Sequence, residues 1–262
     1  MTLLYATTNL ITSTTLPPDN AVYRSTEDAN YQVENLYNVR PSYPFRFTSK
    51  VGQYVKANLG TRKIASISAI FEHNLTNAAT VQLHASGING AWKLVGNYTW
   101  RKNDMYIKFG INEIWLRLSV SDAGNATNPI LGEWFVAEHS VFENAVVTPG
   151  REDGPQFFAA DVKTPYGQRW RVVYSEGERF SMTLTNVNDP ATIDDLQTFL
   201  SDVMLNNNGS FLWIPNDTQP HVYYVDVVNL SNYATRRVYG TSELRDWRLE
   251  FEIRTRGITL LD

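Results

Sequence analysis

The sequence predicts a mainly β protein with one packed α-helix, divided into two domains. Three observations lead to this prediction. The chain has 262 residues, more than a single hydrophobic core usually organises. Hydrophobic residues make up 43% and aromatic residues 13%, which supplies enough apolar material for packed cores. Most apolar segments are short, rich in β-branched or aromatic residues and bounded by turn residues, as β-strands are.

Strands are predicted wherever such segments occur. The clearest is "RDWRLEFEIRTR", in which Trp247, Leu249 and Phe251 alternate with charged residues, the period of a strand with one buried and one solvated face. Six further strands are predicted, at residues 64–71, 80–85, 114–120, 170–174, 180–184 and 222–228.

A single helix is predicted at about residues 190–206. Ile193, Leu196, Phe199 and Val203 recur at spacings of three and four, which places them on one helical face. Asp189 or Thr192 can cap the start, and Pro190 suits the first turn. We expect this helix to lie against a sheet.

The domain boundary is predicted within residues 138–162, where Pro149-Gly150 and Gly154-Pro155 bracket an acidic pair. We therefore assign residues 1–145 to the first domain and 146–262 to the second.

Charge and composition exclude several kinds of partner. The net charge is −4, and the Lys and Arg residues are scattered, so we expect no nucleic-acid partner. No stretch approaches the roughly 20 apolar residues of a membrane helix, so no membrane insertion is expected. The N-terminus has no basic leader, which predicts a protein outside the Sec export route.

The sequence offers no recognisable catalytic or cofactor-binding motif. It contains no cysteine, and its four histidines have no metal-ligand spacing. Glu176 and Glu178 flank a predicted hairpin turn, while Asp194 and Asp195 suit the first turn of the predicted helix. We expect a protein that is not an enzyme and needs no metal or cofactor.

The first half resembles the discoidin-like (galactose-binding-like) β-sandwich of bacteriophage tail proteins, over about residues 20–138. Four motifs carry the resemblance: Glu34-Asn35-Leu36, Phe45-Arg46, Asn58-Leu59-Gly60 and His73-Asn74-Leu75. Asn58 is a departure, because related sandwiches often have Asp at this position.

The second half is similar to the β-barrel domain of phage tail-tip proteins, including distal tail proteins. The similarity is in the order of elements: strands at "RWRVVY" and "RFSMTLTNV", the helix, the strand "SFLWIPND" and the closing strand "WRLEFEIRTRG". The implied fold is a C-terminal β-barrel or β-sandwich tail-protein domain with one packed α-helix.

The two resemblances imply a structural virion protein of a phage tail tip or baseplate, assembled in the cytoplasm of the host bacterium. Such a subunit forms a homo-oligomeric ring, a hexamer or trimer, and contacts the tail tube, the tail hub and fibre proteins. Phe211 and Trp213 in "SFLWIPND" are then residues of a core strand or a subunit interface, with a sugar-binding platform as a further alternative.

The alternative function is recognition of a host-surface glycan by the sandwich. Tyr43, Arg46 and Trp92 are its candidate contacts, because exposed aromatic rings stack on sugars and Trp92 lies in the turn-like "GINGAWKLVG". The same three residues could instead contact a protein neighbour.

Overall fold

The structure is a computed structural model that describes most of the first half of the chain and parts of the second. The described residues are 4–18, 20–38, 43–141, 146–151, 156–163, 169–177, 179–187, 198–199, 201–203, 210–214, 222–237 and 243–253. Within them the protein is mainly β.

Six strands of the first half form one antiparallel sheet in the order β2-β7-β3-β6-β4-β5. Their bounds are β2 Phe45–Arg46, β3 Gln53–His73, β4 Thr80–Ser86, β5 Lys93–Asn97, β6 Asn103–Ser121 and β7 Ile130–Ala137. Two short 3₁₀ helices, Ala21–Tyr23 and Val33–Leu36, precede this sheet in the chain.

The length of β3 and β6 makes this sheet fold over into a sandwich. The pairing of β3 with β6 is interrupted between Asn58 and Lys63, where Gly60 has a φ of +74° and donates its amide to the Asn58 side chain. Glycine tolerates this left-handed backbone without a steric penalty. Residues 53–58 of β3 therefore join β4, β5 and the second half of β6 in a front layer, and residues 63–73 join β7, β2 and the first half of β6 in a back layer.

The core of the sandwich is a single apolar cluster between these layers. Strand alternation directs Val55 and Leu118 of the front layer and Ile70 and Trp134 of the back layer into it, all at most 1% exposed. The opposite side chains of the front layer are then left to face outward.

A second antiparallel sheet has seven strands in the order β8-β1-β13-β14-β15-β12-β9, and β10 and β11 form a separate hairpin. Their bounds are β1 Leu4–Ala6, β8 Ser140–Val141, β9 Val146–Arg151, β10 Gln156–Lys163, β11 Arg169–Gly177, β12 Arg179–Val187, β13 Ser210–Ile214, β14 Tyr223–Arg237 and β15 Glu243–Ile253.

The back layer of the sandwich packs directly on this second sheet. Phe71 and Phe135 of the back layer contact Tyr224 of β14, with ring centroids 5.3 and 5.8 Å apart. Leu4, Leu212 and other buried residues of β1 and β13 complete a second apolar cluster. The strand β7 is consequently buried on both faces, which explains its nearly continuous apolar sequence.

All seven strands predicted from the sequence overlap observed strands; Val222 precedes β14, and residues 254–256 of the last predicted strand lie outside the described residues. Of the helix predicted at 190–206, residues 198–199 and 201–203 have helical backbone, and the rest lie outside the described residues. Phe199 packs against Tyr5 and Phe211, and the helix at 190–206 stays a prediction. The described part of the chain contains no helix with the length and apolar content needed to cross a membrane.

Strand pairing also bears on the predicted domain boundary. Pro149-Gly150, interpreted from the sequence as a break, lies inside β9, which forms one edge of the second sheet, where a missing amide donor costs little. β1 and β8 precede residue 146 and yet pair in the second sheet. The division at 145/146 stays a prediction. The second sheet contains strands that precede the sandwich in the chain and strands that follow it.

Candidate functional site

The three ligand-contact residues predicted from the sequence belong to two different edges of the six-stranded sheet. Arg46 belongs to β2, at one edge of the six-stranded sheet, and Trp92 precedes β5, which forms the other edge. Tyr43, just before β2, is 61% exposed. The sequence-predicted set is therefore divided between two edges of the sandwich.

Arg46 is already held by other residues of the protein. Its Nε and Nη2 atoms donate to Asp28 Oδ2 at 3.0 and 2.6 Å, and its guanidinium lies 4.0 Å from the ring centroid of Tyr31. The Asn30 amide, and then Arg46, hold the pKa of Asp28 below its usual value. These contacts give Arg46 a structural role in fastening residues 28–31 to β2.

Trp92 lies on the outward side of the front layer, beside a groove. Its ring centroid is 4.9 Å from Cζ of Arg117 in β6. The groove has a volume of about 270 Å³. Its lining consists of Gly52, Gln53, Tyr54, Thr80, Gln82, Arg117, Ser119, Val120 and Ser121.

Strand register brings the polar lining residues into neighbouring positions. Ser119 of β6 stands opposite Tyr54 of β3 on one side and Gln82 of β4 on the other. One row along, Arg117 stands between Lys56 and His84. The front layer thus presents two rows of outward side chains that combine hydroxyl, amide and cationic groups with aromatic rings.

Two cations of this face are free of carboxylate partners among the described residues. Ion pairs there join Arg24 to Glu27, Arg46 to Asp28 and Arg62 to Glu113, and none includes Arg117 or Lys56. The Lys56 ammonium lies 4.9 Å from the ring centroid of Tyr54.

Burial affects the pKa of two side chains at or beside the groove, Arg117 and His84. Desolvation lowers the pKa of Arg117, although arginine stays charged at neutral pH. Burial, and then the charge of Arg117, lower the pKa of His84, so its ring is neutral near pH 7. His84 Nδ1 lies 3.5 Å from Ser119 Oγ. The positive charge on this face therefore comes from Arg117 and Lys56.

The remaining aromatic candidates have structural partners. Trp115 of β6 stacks on Tyr23 with a centroid distance of 5.9 Å, which covers the end of the outward face beyond Arg117. Phe211 and Trp213 of β13 are each 1% exposed. Phe211 contacts Phe199, and Trp213 contacts Tyr223, so both serve as core residues within the chain.

Sequence reasoning missed Tyr54, Gln82, Arg117 and Ser119. The detectable signal was the alternation in "WLRLSV", where Trp115, Arg117 and Ser119 are interleaved with buried residues. That alternation predicts that the three residues share a face, but only the pairing with β3 and β4 shows which side chains surround them.

The described residues contain no group of three His, Asp or Glu side chains placed to hold a metal ion. His73 and His139 make hydrogen bonds within the chain: Leu75 donates its amide to His73 Nδ1 at 3.2 Å, and His139 Nδ1 lies 2.7 Å from Ser66 Oγ.

No family model and no curated protein matches the sequence. Solved structures similar to about half of the chain include a chitosan-binding module from a chitosanase/glucanase of Paenibacillus sp. IK-5, with 17% identity over 49% of this chain and 98% of the module, at a TM-score of 0.41. The family 32 carbohydrate-binding module of Clostridium perfringens NanJ, solved with galactose, has 18% identity over 45% of this chain and 90% of the module, at a TM-score of 0.38.

A second Clostridium perfringens module, CpGH89CBM32-5, was solved in complex with GalNAc-β-1,3-galactose. It has 12% identity over 44% of this chain and 91% of the module, with a TM-score of 0.39. Similarities at this level assign neither a ligand nor a binding residue to this chain.

Proposed function

We propose that this chain is a non-enzymatic carbohydrate-binding protein whose sandwich holds a glycan on the outward face of its front layer. The observation that carries this proposal is the groove in which Tyr54, Gln82, Arg117 and Ser119 converge, with Trp92 beside it. Sugars present apolar ring faces together with many hydroxyl groups, so they bind best where aromatic rings lie next to hydrogen-bonding side chains.

Each component of the groove has a separate task in this proposal. Tyr54 and Trp92 provide apolar surface for a sugar ring. Gln82 and Ser119 supply amide and hydroxyl groups that can donate to or accept from sugar hydroxyls. Because β3, β4 and β6 are consecutive neighbours in one sheet, these side chains are positioned by backbone hydrogen bonds and need little rearrangement on binding.

Glycan-array screening followed by calorimetry of the best ligand tests the proposal. Trp92→Ala should weaken binding about fivefold or more, since a stacking aromatic contributes on the order of 1 kcal/mol. Tyr43→Ala is the matched control: Tyr43 is exposed at the opposite edge of the sheet, and its loss should leave affinity unchanged. Absence of any glycan ligand, or equal affinity of the wild type and Trp92→Ala, would overturn the proposal.

A second candidate function is a structural virion protein of a bacteriophage tail tip or baseplate. The observation that favours it is the order of strands in the seven-stranded sheet: β1 precedes the sandwich in the chain, and β8, β9 and β12 to β15 follow it. In the chain, the sandwich is thus inserted between the strands of the second sheet. This arrangement suits a scaffold subunit that carries a recognition module.

This candidate predicts self-association into a ring of three or six copies and attachment to the tail tube, tail hub and fibres. The edges of the second sheet, β8 and β9, offer backbone groups for pairing with a neighbouring copy. Light scattering after size exclusion, together with negative-stain microscopy, tests the ring. A strict monomer at high concentration would exclude it and would leave glycan binding unaffected.

A further inference from the structure

The charge of the groove indicates which class of glycan it takes. None of its nine lining residues is acidic, and one of them is Arg117. Lys56 is the neighbour of Arg117 across the β3–β6 pairing, so a second cation lies beside the groove. The net charge of the chain is −4, so its composition alone does not indicate a cationic site.

Arg117 differs from Arg46 in what surrounds its guanidinium. Arg46 is neutralised by Asp28 through two hydrogen bonds to the same carboxylate oxygen. Arg117 instead lies against the Trp92 ring, and its Nε atom is buried with no hydrogen-bond partner. No carboxylate pairs with Arg117 among the described residues, so the protein itself does not neutralise the guanidinium charge that lines the groove.

The geometry of the charged groups suits a carboxylate. A guanidinium presents paired N–H donors in a planar fork that matches the two oxygens of a carboxylate, whereas an ammonium acts as a point charge. Arg117 can therefore orient such a group, with Lys56 adding attraction from the adjacent position. His84, on the other side of Arg117, is neutral near pH 7 and adds no charge.

We propose that the groove selects glycans that carry a carboxylate, as uronic and sialic acids do, and that it binds this group through Arg117 with assistance from Lys56. The sugar ring then lies against Tyr54 and Trp92, and Gln82 and Ser119 bind its hydroxyl groups. A volume of about 270 Å³ is near the lower end for small-molecule sites, which suits a single acidic sugar residue. This inference depends on the proposed glycan-binding function.

Calorimetry on the full chain with matched ligands tests the inference. The ligands are trigalacturonic acid, its methyl ester, neutral galactotriose and a sulfated galactose trisaccharide. The acid should bind at least tenfold more tightly than its methyl ester, and added salt should reduce that difference. Preference for the sulfated sugar over the acid would overturn the assignment of a carboxylate.

Variants identify the residues responsible. Arg117→Gln should bring the ratio of acid to ester affinity close to one, and Arg117→Lys should restore part of it. Lys56→Gln should lower the ratio less than Arg117→Gln does. Arg62→Gln is the control, because Arg62 is exposed, pairs with Glu113 and does not line the groove, so its ratio should match the wild type.

The outcomes separate this inference from the proposed function. Trp92-dependent binding of neutral and acidic sugars with equal affinity would leave the proposed function standing and would refute the carboxylate selectivity. An unchanged ratio in Arg117→Gln, with thermal unfolding like that of the wild type, would also refute it. Failure of all four ligands and of the glycan array would refute both.

Discussion

Trp92 lies over the guanidinium of Arg117, with 4.9 Å between its ring centroid and Cζ. Trp92 comes from the turn before β5 and Arg117 from the C-terminal half of β6, so the contact crosses β4. It holds an aromatic ring and a cation side by side at the edge of the groove. The proposed glycan site depends on this juxtaposition.

The Trp92–Arg117 contact should be measurable without ligand. A double-mutant cycle with Trp92→Ala and Arg117→Ala should give a coupling free energy of about 0.5–1 kcal/mol, as expected for a partly exposed cation–π pair. Urea unfolding of the four proteins measures it. Strictly additive effects of the two substitutions would show that the ring and the guanidinium do not interact in solution.

Tyr224 should couple the unfolding of the sandwich to that of the second sheet. It is 6% exposed and contacts both Phe71 and Phe135 of the back layer. Tyr224→Ala should cost about 3 kcal/mol of unfolding free energy, because it leaves a cavity in the shared apolar cluster. In calorimetry, the Tyr224→Ala protein should also unfold in two more clearly separated transitions, one for the sandwich and one for the second sheet.

Tyr43→Ala serves as the matched control for Tyr224→Ala, since it removes the same side chain from an exposed position. Its unfolding free energy should stay within about 0.5 kcal/mol of the wild type. If the two substitutions had equal effects, the contact between sandwich and second sheet would not contribute to stability.

Arg46 should act in stability and have no part in glycan binding. Arg46→Gln removes both hydrogen bonds to Asp28 and the contact with Tyr31, so we expect a lower free energy of unfolding than that of the wild type. Chemical denaturation measures the loss, and calorimetry with a bound glycan should give wild-type affinity. Weaker glycan binding in a stably folded Arg46→Gln protein would show that Arg46 takes part in ligand binding.

His73 should make the protein less stable in mild acid. Burial lowers the pKa of His73 to about 4, from 6.5 in an open chain, against smaller opposing effects of the Arg101 backbone and Asp122. Between these values the unfolded chain binds a proton that the folded protein refuses, so the stabilisation is complete above pH 6.5 and is lost as pH falls toward 4.

His73→Asn provides the comparison, because its Oδ1 atom can accept the Leu75 amide in place of Nδ1. Urea unfolding at pH 7.5 and pH 4.5 should show that the wild type loses about 2 kcal/mol more than the variant over this interval. The effects of His84 and His139 are common to both proteins and cancel. Parallel pH profiles would mean that His73 titrates normally in the folded state.

The local chemistry of the chain was sufficient to predict its strands. Alternation in residues 114–120 and 245–253, and the apolar segments at 64–71 and 80–85, predicted strands that the structure contains. A strand repeats every two residues, so a few neighbouring side chains reveal it. The mainly β class followed from the same short-range signal.

Long-range pairing decided the features that matter most for function. The turn at Gly60 folds β3 into two layers, β1 joins a sheet whose other strands come after the sandwich, and the register of β3, β6 and β4 places Tyr54, Arg117 and Gln82 around one groove. Tyr43, Arg46 and Trp92 looked equivalent as candidates because each is an aromatic or basic residue near a turn. The pairing of distant strands places these three residues in different environments. Strand pairing depends on which apolar faces can be buried together, and no short segment of the sequence contains that information.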